Sequence, residues 1–104
     1  MKYALMIRND ALSKETALKI KEGLKDFFMY DDQNPDLVIS IGGDGTILEA
    51  VHHYLNKDCC FVGIHTGTLG FYTDYQVDQV DQFIKDVTSR EFTTMKRYLL
   101  EIKV

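Results

Sequence analysis

Asp44 stands among three glycines, in the run Gly42-Gly43-Asp44-Gly45-Thr46. Glycines without a Cβ permit a tight turn and let a ligand come close to the backbone. A helix starting there turns free N–H groups and the positive end of its dipole toward that place, which suits a phosphate. The run is neither the G-x-G-x-x-G fingerprint nor the G-x-x-x-x-G-K-[ST] loop, and no lysine neutralises phosphate. A carboxylate in such a nest repels the ligand unless it has a task. It could hold a metal ion that binds phosphate, or take the proton of a hydroxyl that attacks one. The conformational alternative is that Asp44 or Thr46 caps the helix in a tight turn. A second glycine-bearing stretch follows, His65-Thr66-Gly67-Thr68-Leu69-Gly70-Phe71-Tyr72.

Both loops need elements to hold them. Leu37-Val38-Ile39-Ser40-Ile41 is almost wholly apolar, as expected of a parallel strand covered on both faces. It runs straight into the first loop. Cys60-Phe61-Val62-Gly63-Ile64 has the same character and runs into the second. Residues 3–7 form a further short apolar run, read as the first strand. Arg8 to Leu12 breaks it, and Ser13 is read as the cap of a helix with Ala17, Ile20, Leu24 and Phe27 on one face. Phe28-Met29-Tyr30 suggests a short second strand, and Asp31 to Pro35 a turn whose acidic pair is solvated. After the first loop, Ile47, Val51, Tyr54 and Leu55 mark one side of a helix. Val77, Val80, Phe83, Ile84 and Val87 mark another. This order argues for an α/β fold: an open, doubly wound parallel sheet with covering helices. In such sheets ligands bind beyond the carboxyl ends of the strands, so both loops face one crevice.

The tail differs. Tyr98, Leu100, Ile102 and Val104 alternate with Leu99, Glu101 and Lys103, a half-buried strand of antiparallel character. We read residues 1–92 as the α/β domain and 93–104 as the start of a second, β-rich domain; the alternative is an edge strand folding back on the same sheet. Cys59 and Cys60 are neighbours, which on a strand point to opposite faces and do not pair. His52 and His53 are assigned to a solvated helix face. Apolar residues make up 45% and charged residues 27% of the 104 positions, which excludes a disordered chain. A net charge of −4 without a basic cluster argues against nucleic acid as partner. No apolar run is long enough to span a bilayer, and a charge at Arg8 comes too early for a signal peptide. Cytoplasm is the expected compartment, and no membrane the expectation.

The two loops together resemble those of NAD kinases. Gly42-Gly43-Asp44-Gly45-Thr46 matches that family's glycine–aspartate loop, which diacylglycerol and sphingosine kinases share and 6-phosphofructokinases vary. Gly63-Ile64-His65-Thr66-Gly67-Thr68-Leu69-Gly70-Phe71-Tyr72 is similar to the family's Gly-Ile-Asn-x-Gly-x-Leu-Gly-Phe, with His65 in place of asparagine. Lys96 to Ile102 resembles the entry to the family's second domain. The resemblance implies transfer of the terminal phosphate of ATP, or of polyphosphate, to the 2′-hydroxyl of the adenosine ribose of NAD. It makes Asp44 the base, and Gly43, Asp44, Gly45, Thr46, Leu48, His65, Phe71 and Tyr72 substrate contacts, the last two along adenine and ribose. For His65 a loop position without ligand contact stays open, as does core packing for Phe71. The resemblance further implies magnesium or another divalent cation with ATP, a homo-oligomer as the full-length protein, and a site completed by the second domain. A lipid kinase domain shares the first loop but not the second. A non-catalytic nucleotide-binding module keeping the loop as a turn is the remaining alternative.

Overall fold

The computed structural model describes residues 2–66 and 75–88. Five parallel strands form one sheet in the order β2-β1-β3-β4-β5. They are β1 (Lys2–Ile7), β2 (Met29–Tyr30), β3 (Leu37–Gly42), β4 (Cys60–His65) and β5 (Tyr75–Gln76). The helices are α1 (Ala11–Leu24), α2 (Asp44–His53) and α3 (Val80–Thr88), the last preceded by a single 3₁₀ turn, Val77–Gln79. The α/β class and parallel sheet read from the apolar runs are the observed ones.

β3 is buried at all six positions because helices cover both faces. Leu37, Ile39 and Ile41 point into a cluster with Leu5, Ile20, Leu24, Val62, Ile64 and Phe83, under α1 and α3. Val38 points the other way, to Ala4, Ala50, Tyr54 and Cys59 under α2. Truncating a fully buried residue such as Ile39 to alanine costs about 2–5 kcal/mol, so the central strands make a stiff frame. Cys59 and Cys60 are buried in opposite clusters, as the strand alternation requires.

Several expectations are corrected. The cap of α1 is Asp10, not Ser13: Asp10 Oδ1 accepts from Ser13 N at 2.8 Å. The chain turns inward sooner than the serine suggests, and Ser13 is itself buried on the first turn. Phe27 lies past the end of α1 and is exposed. α2 buries Thr46, Ala50 and, just past its end, Tyr54, while Leu55 faces out, because the helix stops at His53 and its periodicity ends there. Asp31 is not simply solvated. Its carboxylate accepts from the amides of Gln33 and Asn34 and lies 3.5 Å from Lys2 Nζ, and those bonds hold it below the usual carboxylate range. β5, two residues long, had no periodic signature. His52 and His53 are exposed, as expected. The tail assigned to a second domain, residues 93–104, lies outside the described residues.

The strand order reverses between β1 and β3. The chain leaves β1 through α1 toward β2, and leaves β3 through α2 toward β4, on opposite faces of the sheet. This is the switch point at which open parallel sheets leave a crevice beyond the strand ends.

Candidate functional site

Three strand ends meet at that crevice. The amide of Arg8, just after β1, donates to Ile41 O of β3 at 2.9 Å. The amide of Thr66, just after β4, donates to Gly42 O at 2.9 Å. Gly42 and His65 are register partners on β3 and β4. The glycine–aspartate loop is therefore held from both sides by neighbouring strands, and the first turn of α2 rises from its centre.

The three glycines of this loop are not equivalent. Gly42 has φ of 153°, a backbone conformation that side-chain-bearing residues rarely adopt. A Cβ on it would strike the Thr46 hydroxyl and come within 2.9 Å of Arg8 Cβ. The fold itself demands glycine there. Gly43 is the cap position of α2, with ordinary extended backbone at φ −117° and ψ −163°, and as glycine it makes no side-chain cap bond. A Cβ on Gly43 would meet only Arg8 Nη1, at an ordinary 3.5 Å. A Cβ on Gly45, the second residue of α2, would meet nothing within 4 Å. Packing among the described residues does not require glycine at 43 or 45. What these glycines keep clear, among the described residues, is space at the start of a helix.

Asp44 is the first residue of α2 and follows the cap position, so neither it nor Thr46 is the cap that the conformational alternative required. Thr46 is buried beneath Gly42, with its amide donating to Gly43 O at 3.1 Å. Leu48 is 61% exposed, on the outer flank of α2. His65 is the last residue of β4 rather than a loop residue, and is 2% exposed. Phe71 and Tyr72 lie outside the described residues.

The sequence reading missed the charged companions of the loop. Arg8 Nε donates to Asp10 Oδ2 at 2.5 Å, and Arg8 Nη2 donates to Thr66 Oγ1 at 2.8 Å. The guanidinium beside Asp10, followed by the Ser13 amide, holds the Asp10 carboxyl down at about 2. The available signal was position: Arg8 directly follows a buried strand of the same sheet, where ligands of this architecture bind.

The ATP-NAD kinase N-terminal domain family matches residues 5–92, most of the chain. The chain belongs to the NAD kinase family. It is 43% identical over 107 aligned residues to NAD kinase of Lysinibacillus sphaericus, covering 100% of this chain and 40% of that protein. It is also 43% identical over 107 residues to NAD kinase of Staphylococcus saprophyticus, again covering 100% and 40%. With NAD kinase 1 of Bacillus cereus it shares 43% over 105 residues, 98% of this chain and 40% of that protein. The chain thus spans about 40% of the length of these NAD kinase relatives.

Proposed function

We propose that this chain supplies the catalytic loop of an NAD kinase, which moves the terminal phosphate of ATP, or of polyphosphate, to the 2′-hydroxyl of NAD and yields NADP. The observation that carries this reading is the pair Gly43 and Gly45. They flank Asp44 at the start of α2 and leave room that no packing among the described residues uses.

The mechanism follows from what the loop can do. A carboxylate with an ordinary pKa near 4 is ionised at neutral pH. As the ribose oxygen attacks the terminal phosphorus, the new O–P bond forms and the bond to the bridging oxygen breaks. The hydroxyl proton passes to Asp44, and the shortened donor leaves with the bridging electrons. The first turn of α2 offers free N–H groups and positive potential to the phosphates. Among the described residues no three His, Cys, Asp or Glu side chains gather to hold a metal ion. The divalent cation would come with the donor, whose phosphates supply oxygen ligands.

The remaining contacts belong to the same proposal. Leu48 stands exposed on α2, where a bound nucleotide would cover it. His65, Thr46, Phe71 and Tyr72 complete the substrate contacts, the aromatic pair along adenine and ribose. Residues 93–104 open a second, β-rich domain that brings the rest of the nucleotide site, and the full protein self-associates. Among the described residues no helix is long and apolar enough to cross a membrane.

A coupled assay for NADP formation tests the reading on the 104-residue chain and on the full natural protein, with NAD and with diacylglycerol as acceptors. NADP formation by the full protein alone is expected. Robust turnover by the 104 residues would overturn the two-domain reading, and activity toward the lipid alone would overturn the choice of acceptor.

A further inference from the structure

The glycine–aspartate loop contains no cation, yet the reaction brings a highly charged phosphate chain to it. Among the described residues, a guanidinium from a different strand comes up against this loop. Arg8 lies at the carboxyl end of β1, and its side chain is half exposed. Two of its three nitrogens are held: Nε by Asp10 Oδ2 and Nη2 by Thr66 Oγ1. Both bonds spare Nη1, which lies 3.5 Å from the Cβ position of Gly43. The fork is thus fixed across the ends of β1 and β4, with its unspent edge on the loop that precedes Asp44.

We propose that Arg8 is a catalytic residue that grips the phosphoryl groups of the donor at the Gly43 backbone, through Nη1 and the remaining Nη2 hydrogen. This rests on the phosphotransferase reading above and adds the group that recognises the donor. Guanidinium matches phosphate with two parallel N–H bonds and stays charged at any working pH. Its place beside Gly43, the residue before Asp44, decides which phosphate it meets. The hydroxyl deprotonated by Asp44 must lie against the phosphorus it attacks, so a cation beside Gly43 faces the transferring end of the donor. Negative charge spreads over the equatorial oxygens there in the transition state, where a fixed guanidinium is most effective. Asp10 offsets part of this charge, but it accepts at Nε and from Ser13 N and Oγ, away from the Nη1 edge. It acts as an orienting anchor for the fork. Inorganic polyphosphate and ATP present the same chemistry to Arg8.

The test compares wild type, Arg8→Ala and Arg8→Lys in the full natural protein. Initial rates are measured with ATP and separately with polyphosphate, each against varied NAD, beside melting curves. For whichever donor the wild type uses, Arg8→Ala should lower kcat/KM by about 100-fold or more, with the KM for NAD changed by less than about twofold. Arg8→Lys should fall between, since it keeps the charge and loses the fork. Calorimetric titration with inorganic tripolyphosphate gives a readout independent of turnover: binding by wild type should be abolished in Arg8→Ala. Unchanged donor kinetics, or equal tripolyphosphate binding in both proteins, would overturn the proposal. So would equal losses for donor and NAD accompanied by a fall in melting temperature, which would make Arg8 a tie between loops. A wild type that makes no NADP would sink the kinase reading, while the tripolyphosphate titration would still decide Arg8.

Discussion

Two helices start at the same edge of one sheet, and the chain treats them in opposite ways. α1 follows β1 and is closed by its own side chain: Asp10 accepts from both the amide and the hydroxyl of Ser13. α2 follows β3, and its cap position is Gly43, which has no side chain to close it. The two starts have the same need, because the first N–H groups of any helix lack partners within it. At α1 the chain answers that need with a carboxylate held well below the usual range. At α2 the cap position offers no side chain, and among the described residues a Cβ at 43 or 45 would meet no close neighbour. On the function proposed above, one start serves the fold and the other serves a ligand.

The largest test of this contrast is Asp44→Asn in the full natural protein. Asparagine is nearly isosteric and removes the charge. If Asp44 is the base, kcat should drop by roughly 10²–10⁴ while NAD affinity and melting temperature stay close to wild type. Steady-state kinetics beside a melting curve decide it. Loss through KM alone would reduce Asp44 to a substrate-positioning residue, and near-wild-type kcat would remove it from the mechanism.

The glycines sharpen the contrast within one loop. Gly42→Ala should destabilise the protein by about 1–3 kcal/mol, since the added methyl meets Thr46 and Arg8 at a positive φ. Gly45→Ala should act in the opposite sense. It adds a methyl into open space on a helix, which stabilises by up to about 1 kcal/mol, and yet turnover should fall because the methyl occupies the ligand's approach. Denaturant unfolding and NADP formation on the same two proteins read both effects. Equal activity in Gly45→Ala and wild type would mean that the open space at α2 is not a site.

The smallest effect is expected at α1. Asp10→Ala should lower the melting temperature by several degrees through loss of the cap. The Asp10 carboxyl is held at about 2 against an ordinary 3.8, so its contribution is complete above the ordinary value and disappears as the pH falls through about 2. Thermal melts across acid pH should therefore show wild type and Asp10→Ala converging at the acid end. A gap that persists unchanged to the lowest pH would show that the charge of Asp10 is not what closes α1.

Much of this was legible in the residues. Apolar runs without alternation at 37–41 and 60–64 determined buried parallel strands, since only a strand covered on both faces tolerates apolar side chains on each. Two adjacent cysteines were bound to face apart by the alternation of any strand. The glycine–aspartate loop was bound to lie at a strand's carboxyl end, because the apolar run leads straight into it.

Other features had no local signature. β5 is two residues long, too short for a period to register. Leu55 and Phe27 fit the helical spacing but lie beyond the last turn, and spacing does not tell where a helix stops. Which glycine the backbone needs and which a ligand needs depends on what lies within a few ångströms of each. The tie between Arg8 and Thr66 joins residues 58 positions apart. It exists because β3 lies between β1 and β4, and that lateral order comes from the packing of whole strands and helices, which no periodicity along the chain records.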